Sequence, residues 1–232
     1  MGVTYDPQSP ADTAPRRRER QPLLGNMAPP TAVMILIQVA VFVAQMFTGG
    51  PDRWAMSAQR LAAGGYDTLL THMFSHAGFL HIFMNLTALA TFSAVVVPWL
   101  GQGPGRWVRY YGLFLLSGLA GALMFLAIHP TGTTPMLGAS GAICGVWGAA
   151  VRLPPYGGAL LPIRNPLVFA RIRQFAISNA VIFAIIFGLV LLAGGQGGLA
   201  WEAHLGGFLF GLLAVPLIAV PLPAAPWGAP AP

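Results

Sequence analysis

The chain of 232 residues contains no lysine, a single cysteine and only six acidic residues. The lone thiol, Cys144, excludes an intrachain disulfide and any metal centre built from several thiolates. Charged residues make up 8% of the chain and hydrophobic residues 56%, and the mean hydropathy is +0.68. Because so little charge cannot cover a folded domain in water, the composition indicates an integral membrane protein.

Six apolar segments without a charged residue are spread along the chain, and most are long enough to span a bilayer. They cover residues 31–47, 79–100, 110–128, 139–151, 175–193 and about 203–220. We therefore predict an all-α membrane protein in which residues 31–220 form one bundle of six transmembrane helices. The proline-rich residues 1–30 are expected to be a disordered cytoplasmic segment, and residues 221–232 a Pro/Ala-rich cytoplasmic tail. No internal repeat indicates a transporter built from two halves.

All 12 basic residues are arginines, and their positions predict the orientation of the chain. An even number of crossings places both termini on one side, together with the loops after the second and fourth helices. Ten of the 12 arginines lie on that side, which the positive-inside rule makes cytoplasmic, and only Arg53 and Arg60 lie opposite. Lipid headgroups account for the net charge of +6, so no nucleic-acid partner is expected. Abundant Ala, Gly, Pro and Arg without Lys is typical of a GC-rich bacterial genome, which predicts the bacterial cytoplasmic membrane.

The fourth apolar segment is too short to cross the membrane. A turn from His129 to Pro135 cannot continue a helix, which leaves about 13 residues, or roughly 20 Å, before Arg152. The first turn of this helix, with Ser140, should therefore begin about 10 Å below the outer face of a bilayer core of about 30 Å. Irregular backbone at this depth is tolerated only where protein buries it or water reaches it, so we expect a cavity open to the outside.

Ser140 admits two interpretations. As a nucleophile it would be surrounded by the unpaired N–H groups of a helix N-terminus, which together with the helix dipole favour a developing oxyanion. As a packing residue it would bond back to its own helix, while Gly138, Gly141 and Gly145 bring a second helix close. The motif alone does not separate the two interpretations.

His204 is the base that could activate such a serine. His204, Gly207 and Gly211 lie on one face of a helix, where the two glycines allow close approach to the fourth helix. A membrane-embedded histidine can instead serve in packing or in proton relay. Glu202 is the nearest acidic residue, but from two positions along a helix it points to another side. We therefore expect a Ser–His dyad whose histidine is oriented by packing.

The second apolar segment carries His81 and Asn85 four residues apart, on one face of a helix. Both side chains can donate hydrogen bonds to a tetrahedral oxyanion. His72 and His76 lie nearby and raise the alternative of a metal site, but no acidic ligand accompanies them and H-E-x-x-H is absent. We expect no metal and no cofactor, and we assign these two histidines to holding the preceding loop. His129, at a loop edge, is expected to be solvated.

With these motifs together, the chain resembles the rhomboid family of intramembrane serine proteases. The resemblance covers residues 31–220 and rests on three motifs in order along the helices: His81-x-x-x-Asn85 in the second, Gly138-Ala-Ser-Gly141 in the fourth and His204-x-x-Gly207-x-x-x-Gly211 in the sixth. It implies a rhomboid-like bundle whose short fourth helix starts inside the membrane, with Ser140 as nucleophile and His204 as general base. It also implies an oxyanion hole made by His81, Asn85 and the Ser140 backbone N–H, with the Ala139 peptide as a helper.

The resemblance implies a substrate class as well. Family members cleave single-pass membrane proteins near the outer face and admit the substrate helix past a mobile fifth helix. A rhomboid-like protein that binds and escorts membrane helices without cleaving them is the alternative, and the intact Ser140 and His204 weigh against it. A small transporter or channel is disfavoured because the membrane segments lack charge and repeats.

Two positions depart from the family pattern. Four residues after the serine, Cys144 stands where the family usually has Tyr or Phe against the histidine, so His204 must be held differently. In the inner half of the second helix, Val97 lies near the position of a glutamate that supports the first loop in bacterial relatives. The first loop must therefore be braced by other residues.

Overall fold

A computed structural model describes residues 27–155, 157–192, 194 and 199–223. This part of the chain is helical and contains no β-strand. Its six main helices are α1 (Pro29–Phe47), α2 (Phe79–Val96), α3 (Gly103–Ile128), α4 (Ser140–Val151), α5 (Pro166–Leu192) and α6 (Trp201–Ile218). Nearly all of the predicted N-terminal segment and C-terminal tail lies outside the described residues.

The lengths of the helices set α4 apart from the others. Five spans of 18 to 27 residues are apolar and long enough to cross a membrane, counting α2 with its short 3₁₀ extension to Leu100. The α4 helix is apolar too but has only 12 residues, or about 18 Å. The predicted all-α membrane bundle is confirmed.

Two helices begin earlier than the apolar segments indicate. The α3 helix starts at Gly103 rather than Tyr110, and α5 starts at Pro166 rather than Phe175. The additional turns carry arginines, which an apolar-segment criterion excludes but which a helix tolerates where its end reaches the headgroups. A proline in the first turn of each helix favours the earlier start. An N–H in the first turn has no partner within the helix, so a residue without one costs no hydrogen bond there.

The α4 helix is enclosed by its neighbours, and glycines make its contact with α6 close. Ten of its 12 residues are buried. A Cβ added at Gly207 would overlap the carbonyl group of Gly141, and one added at Gly211 would overlap the carbonyl group of Gly145. The two helices therefore pack backbone against backbone, as small residues allow in membrane proteins.

The long loop between α1 and α2 holds the irregular segment that precedes α4. Met56 and Met136 form an isolated antiparallel bridge with N···O distances of 2.9 and 2.8 Å. The Gly138 N–H donates to the carbonyl oxygen of His72 at 2.8 Å. These bonds give the backbone polar groups just before Ser140 hydrogen-bond partners in the first loop. A buried segment without secondary structure requires such partners.

Arginines gather at the end of the bundle where α2 and α4 finish, and they satisfy helix C-termini. Arg171 Nη1 donates to the carbonyl oxygens of Val151 at 3.0 Å and Leu153 at 2.8 Å. Arg109 Nη1 donates to the carbonyl oxygen of Leu100 at 3.1 Å. Cations in these positions pair the last carbonyls of a helix and complement its dipole.

The α5 helix is the least enclosed of the long helices. Only Val168 and Phe175 are buried along it. Phe175 stacks on Phe208 of α6, with ring centroids 3.7 Å apart and planes inclined by 14°. Most of the remaining α5 side chains are apolar and exposed, as expected of a helix that faces lipid.

Candidate active site

The α4 helix begins at Ser140, directly after a turn that requires glycine. Gly138 has a φ of +116°, and a Cβ there would lie 2.8 Å from the His81 ring. The first backbone bond of the helix runs from the Ile143 N–H to the Ala139 carbonyl oxygen at 2.9 Å. The N–H groups of residues 140–142 therefore have no partner within the helix. Ser140 stands beside these donors, at the positive end of the helix dipole.

The serine opens onto a cavity of about 1020 Å³ bordered by α2, α4, α5 and α6. Its lining is mostly apolar, and among its polar side chains are His81, Asn85, Ser140, Asn179 and His204. The residues predicted as nucleophile, base and oxyanion donors are thus brought to one cavity. Ala139 does not line the cavity. It is 1% exposed and packs in the hydrophobic core.

His204 lies in the first turn of α6 and is 6% exposed. Its Nδ1 is 2.6 Å from Oδ1 of Asn179 on α5. Because an amide oxygen can only accept, Nδ1 carries the proton and the neutral ring presents the lone pair of Nε2. Nε2 is buried without a hydrogen-bond partner in the described part of the chain, Ser140 included. A general base requires such a lone pair, and its bond to the nucleophile often forms only when substrate is bound.

Asn179 is a residue that the sequence motifs do not point to. It precedes His204 by 25 positions and belongs to no motif that carries the resemblance. The available signal was its place inside an apolar membrane helix, where polar side chains are rare and commonly functional. The expectation that packing alone orients His204 is wrong, since a side-chain hydrogen bond holds the ring.

His81 and Asn85 face the start of α4 from the first two turns of α2. The Ala77 N–H donates to His81 Nδ1 at 3.3 Å, which leaves the proton of the neutral ring on Nε2. The ring edge that carries Nε2 faces Gly138. Asn85 Nδ2 donates to the carbonyl oxygen of His81 at 2.8 Å and keeps a second N–H for the cavity. Two side-chain donors therefore border the helix N-terminus.

The first loop is braced by two glutamines of α1 rather than by a carboxylate of α2. Gln45 Nε2 donates to the carbonyl oxygen of His76 at 2.5 Å, while Gln45 Oε1 accepts from the His76 N–H at 3.1 Å and from Ser75 Oγ at 3.2 Å. Gln38 Nε2 donates to the carbonyl oxygen of Met73 at 3.3 Å. The two glutamines lie seven residues apart on one face of α1, a polar pattern within an apolar segment that could have indicated the brace.

His72 and His76 in this loop are both buried. His72 Nδ1 lies 2.8 Å from the carbonyl oxygen of Thr68. Burial lowers the pKa of each imidazole from 6.5 to about 4, and for His76 the neighbouring His81 lowers the pKa further. Both rings are therefore neutral at physiological pH.

His129 is 35% exposed, as expected of a loop edge, but it is also paired. Its Nε2 lies 2.9 Å from Oε1 of Glu202, whose side chain is only 7% exposed. The pair joins the end of α3 to the start of α6 at the rim of the cavity. Glu202 is the acidic residue nearest in sequence to His204, and it bonds to His129. His204 Nδ1 bonds to the amide of Asn179 instead.

Cys144 is 7% exposed and belongs to a cluster with Phe175 of α5 and Phe208 of α6. No aromatic ring from α4 stands at this position. The aromatic rings of this cluster are the stacked pair Phe175 and Phe208, together with Trp147 of α4, whose ring meets Phe175 edge-on with centroids 5.1 Å apart. Cys144 is thus surrounded by aromatic residues of α4, α5 and α6.

The family model of the Rhomboid domain matches residues 63–220. The chain belongs to the rhomboid family. The matched region of this rhomboid protein includes every residue that lines the cavity. The family includes intramembrane serine proteases, and the chain is a multi-pass membrane protein.

Three relatives show how far the similarity extends. The chain is 29% identical over 154 residues to rhomboid protein 1, mitochondrial, of Saccharomyces cerevisiae, covering 63% of the chain and 40% of the yeast protein. It is 30% identical over 146 residues to the human presenilin-associated rhomboid-like protein, mitochondrial, covering 62% and 36%. It is also 30% identical over 142 residues to rhomboid-like protease 5 of Toxoplasma gondii, covering 61% and 15%. The aligned part is therefore well under half the length of each of these relatives.

Proposed function

We propose that this rhomboid protein is an intramembrane serine endopeptidase in which Ser140 is the nucleophile and His204 the general base. The observation that carries the proposal is the shared cavity, where the buried Nε2 of His204 has no partner and Ser140 opens a helix N-terminus. A general base requires a free lone pair on its ring nitrogen, and the N–H groups at the start of α4 favour a developing oxyanion.

The reaction is acyl transfer. Ser140 Oγ attacks the carbonyl carbon of a peptide bond while His204 Nε2 takes its proton. The charge that develops on the carbonyl oxygen is stabilised by the side-chain donors of His81 and Asn85 and by backbone N–H groups at the start of α4. His204 then protonates the departing amine, and a water molecule attacks the acyl-enzyme to release the new carboxylate and restore Ser140.

The cavity lining supports transmembrane segments of single-pass membrane proteins as the substrates. Much of the cavity wall is made of apolar side chains from α2 and α5: Phe79, Leu80, Met84, Phe92, Ile182, Phe183 and Ile186. Such a surface suits an apolar polypeptide, whose backbone must unwind because helical hydrogen bonds shield its carbonyls. Substrate segments with small or helix-breaking residues near the cut are therefore expected.

We also propose that the protein lies in the bacterial cytoplasmic membrane with both termini in the cytoplasm. Arginines at the ends of α2, α4 and α5 favour this orientation, because all lie at the end of the bundle away from the first loop. The cavity would then open towards the outer face. Reporter fusions to either terminus test the orientation, and an outward reporter at the C-terminus would contradict it.

The deciding experiment uses the full chain in detergent or liposomes. Wild-type protein should react with a serine-directed fluorophosphonate and should cleave a model single-pass substrate, whereas Ser140→Ala and His204→Ala should do neither. Unchanged cleavage by either variant would refute the proposal. Wild-type protein that binds the substrate without cleaving it or reacting with the phosphonate would instead favour the alternative of a rhomboid-like escort protein.

A further inference from the structure

Resting on the proposed function, we propose that Asn179 is the positioning residue of His204, completing an Asn–His–Ser arrangement across α5, α6 and α4. The 2.6 Å contact between Asn179 Oδ1 and His204 Nδ1 is the short hydrogen bond that fixes the ring. In a Ser–His–Asp triad, the third residue holds the imidazole in one tautomer and one orientation. An amide oxygen supplies the same acceptor without placing a charge among apolar helices.

The orientation of the Asn179 amide is itself determined. Asn179 Nδ2 donates to the carbonyl oxygen of Phe175 at 3.0 Å, one turn earlier on α5. The opposite orientation would bring Oδ1 against that carbonyl oxygen, where two acceptors face each other and no bond forms. Oδ1 therefore faces His204, and the ring nitrogen opposite it must be the donor.

The consequence for His204 lies at its other nitrogen. A neutral imidazole has one N–H, and Asn179 places it on Nδ1, so the lone pair is on Nε2. Nε2 is the atom that is buried and unpartnered, in a residue that lines the same cavity as Ser140. Even before substrate arrives, Asn179 thus leaves a free lone pair on the nitrogen that later accepts the serine proton.

A second contact between the same two helices lies one turn below this bond. Phe175 is four residues before Asn179, and Phe208 is four residues after His204, so each pair shares one helix face. The stacked rings of Phe175 and Phe208 hold α5 against α6, and the amide and imidazole meet one turn above them. Cys144 of α4 packs in the same cluster as the two rings.

The inference is tested with Asn179→Leu, which removes the acceptor at similar volume, and Asn179→Asp, which restores it. Ser178→Ala, at the neighbouring position outside the cavity lining, is the matched control. Loss of one oriented hydrogen bond should slow both kcat and phosphonate labelling of Ser140 by about 10- to 100-fold in Asn179→Leu, with KM unchanged. Asn179→Asp should recover part of that rate, because it restores the acceptor but loses the donor to the Phe175 carbonyl oxygen, and Ser178→Ala should match the wild type.

The opposite results are equally clear. Labelling of Asn179→Leu at the wild-type rate would overturn the inference, as would a raised KM with unchanged kcat, because α5 would then act on substrate entry. If Asn179→Leu does not fold, ¹⁵N NMR of histidine-labelled wild-type protein still decides: a proton on Nδ1 of His204 supports the inference and one on Nε2 refutes it. That measurement needs no turnover, so it separates failure of the inference from failure of the proposed protease function.

Discussion

Replacing Gly121 by alanine tests whether the close contact between α3 and α6 sets the position of His204. A Cβ at Gly121 would lie 2.7 Å from the carbonyl oxygen of Ala203 and 3.3 Å from its carbonyl carbon. Ordinary contacts of a Cβ begin at 3.4 Å, so the backbone of Ala203 would have to move by about 0.7 Å. Ala203 directly precedes His204, and the displacement therefore reaches the base.

The magnitude follows from two opposing effects on stability and one on geometry. Overpacking costs about 1–3 kcal/mol, and alanine recovers about 1 kcal/mol of helix propensity, so net destabilisation should be about 0–2 kcal/mol. A misplacement approaching 1 Å at a reacting group can cost about 10²-fold in rate. We therefore expect Gly121→Ala to lose at least about tenfold in turnover while it remains folded.

Gly112→Ala on the same helix is the matched control, because a Cβ at Gly112 meets no atom within 4 Å. It should keep full activity and gain up to about 1 kcal/mol of stability. Thermal unfolding in detergent, phosphonate labelling and cleavage of a model substrate measure the three effects. If Gly121→Ala matches Gly112→Ala in both activity and stability, the α3–α6 contact does not position His204.

Three further predictions concern the oxyanion donors and the first loop. Asn85→Ala should lower kcat by about 10²-fold with little change in KM, because one oxyanion donor is lost; steady-state kinetics that equal the wild type would contradict its role. Gln45→Leu should destabilise the protein by about 2–4 kcal/mol in a thermal unfolding assay, because buried polar groups of the loop lose their partner; Gln174→Leu, at an exposed position of α5, should have little effect, and equal melting temperatures for the two variants would refute the brace. Stability should also fall with acidification: the pKa values of buried His72 and His76 are about 4 against an ordinary 6.5, so the unfolded chain takes up protons first. The loss should begin below about pH 6.5, level off near pH 4 and amount to roughly 3 kcal/mol per histidine; a His72→Gln variant with the same pH dependence would exclude His72 as a source.

The membrane fold could be predicted from the sequence because long apolar segments are a strong signal. An apolar segment in lipid must be helical, and a segment of this length must span. The starts of α3 and α5 are harder to predict, because the first two turns of these helices carry charged residues and resemble loops. These residues are Arg106, Arg109, Arg171 and Arg173. Hydropathy reports where a helix enters the hydrocarbon, whereas hydrogen bonding decides where the helix begins.

The candidate site divides along similar lines. Helical periodicity is enough to place His81 and Asn85 on one face of α2, and His204 on the glycine face of α6 that meets α4. Asn179 and Gln45 act through long-range hydrogen bonds, to partners 25 residues away for Asn179 and 30 to 31 residues away for Gln45. A lone polar residue in an apolar segment marks a position that needs a partner, but sequence alone does not say which one.

The orientation of His204 depends on how firmly α5 packs against α6. Ser140 is carried by α4, which glycine contacts hold tightly against α6, so the proposed nucleophile and the backbone of the proposed base belong to one closely packed unit. The bond that orients the imidazole comes from α5, the helix with the fewest buried residues among the long spans. Displacement of α5 would therefore disturb the tautomer and orientation of His204 before it moved Ser140. On the proposed mechanism, catalysis depends on the contact between α5 and α6, and the Asn179–His204 bond is the part of that contact which orients the proposed base.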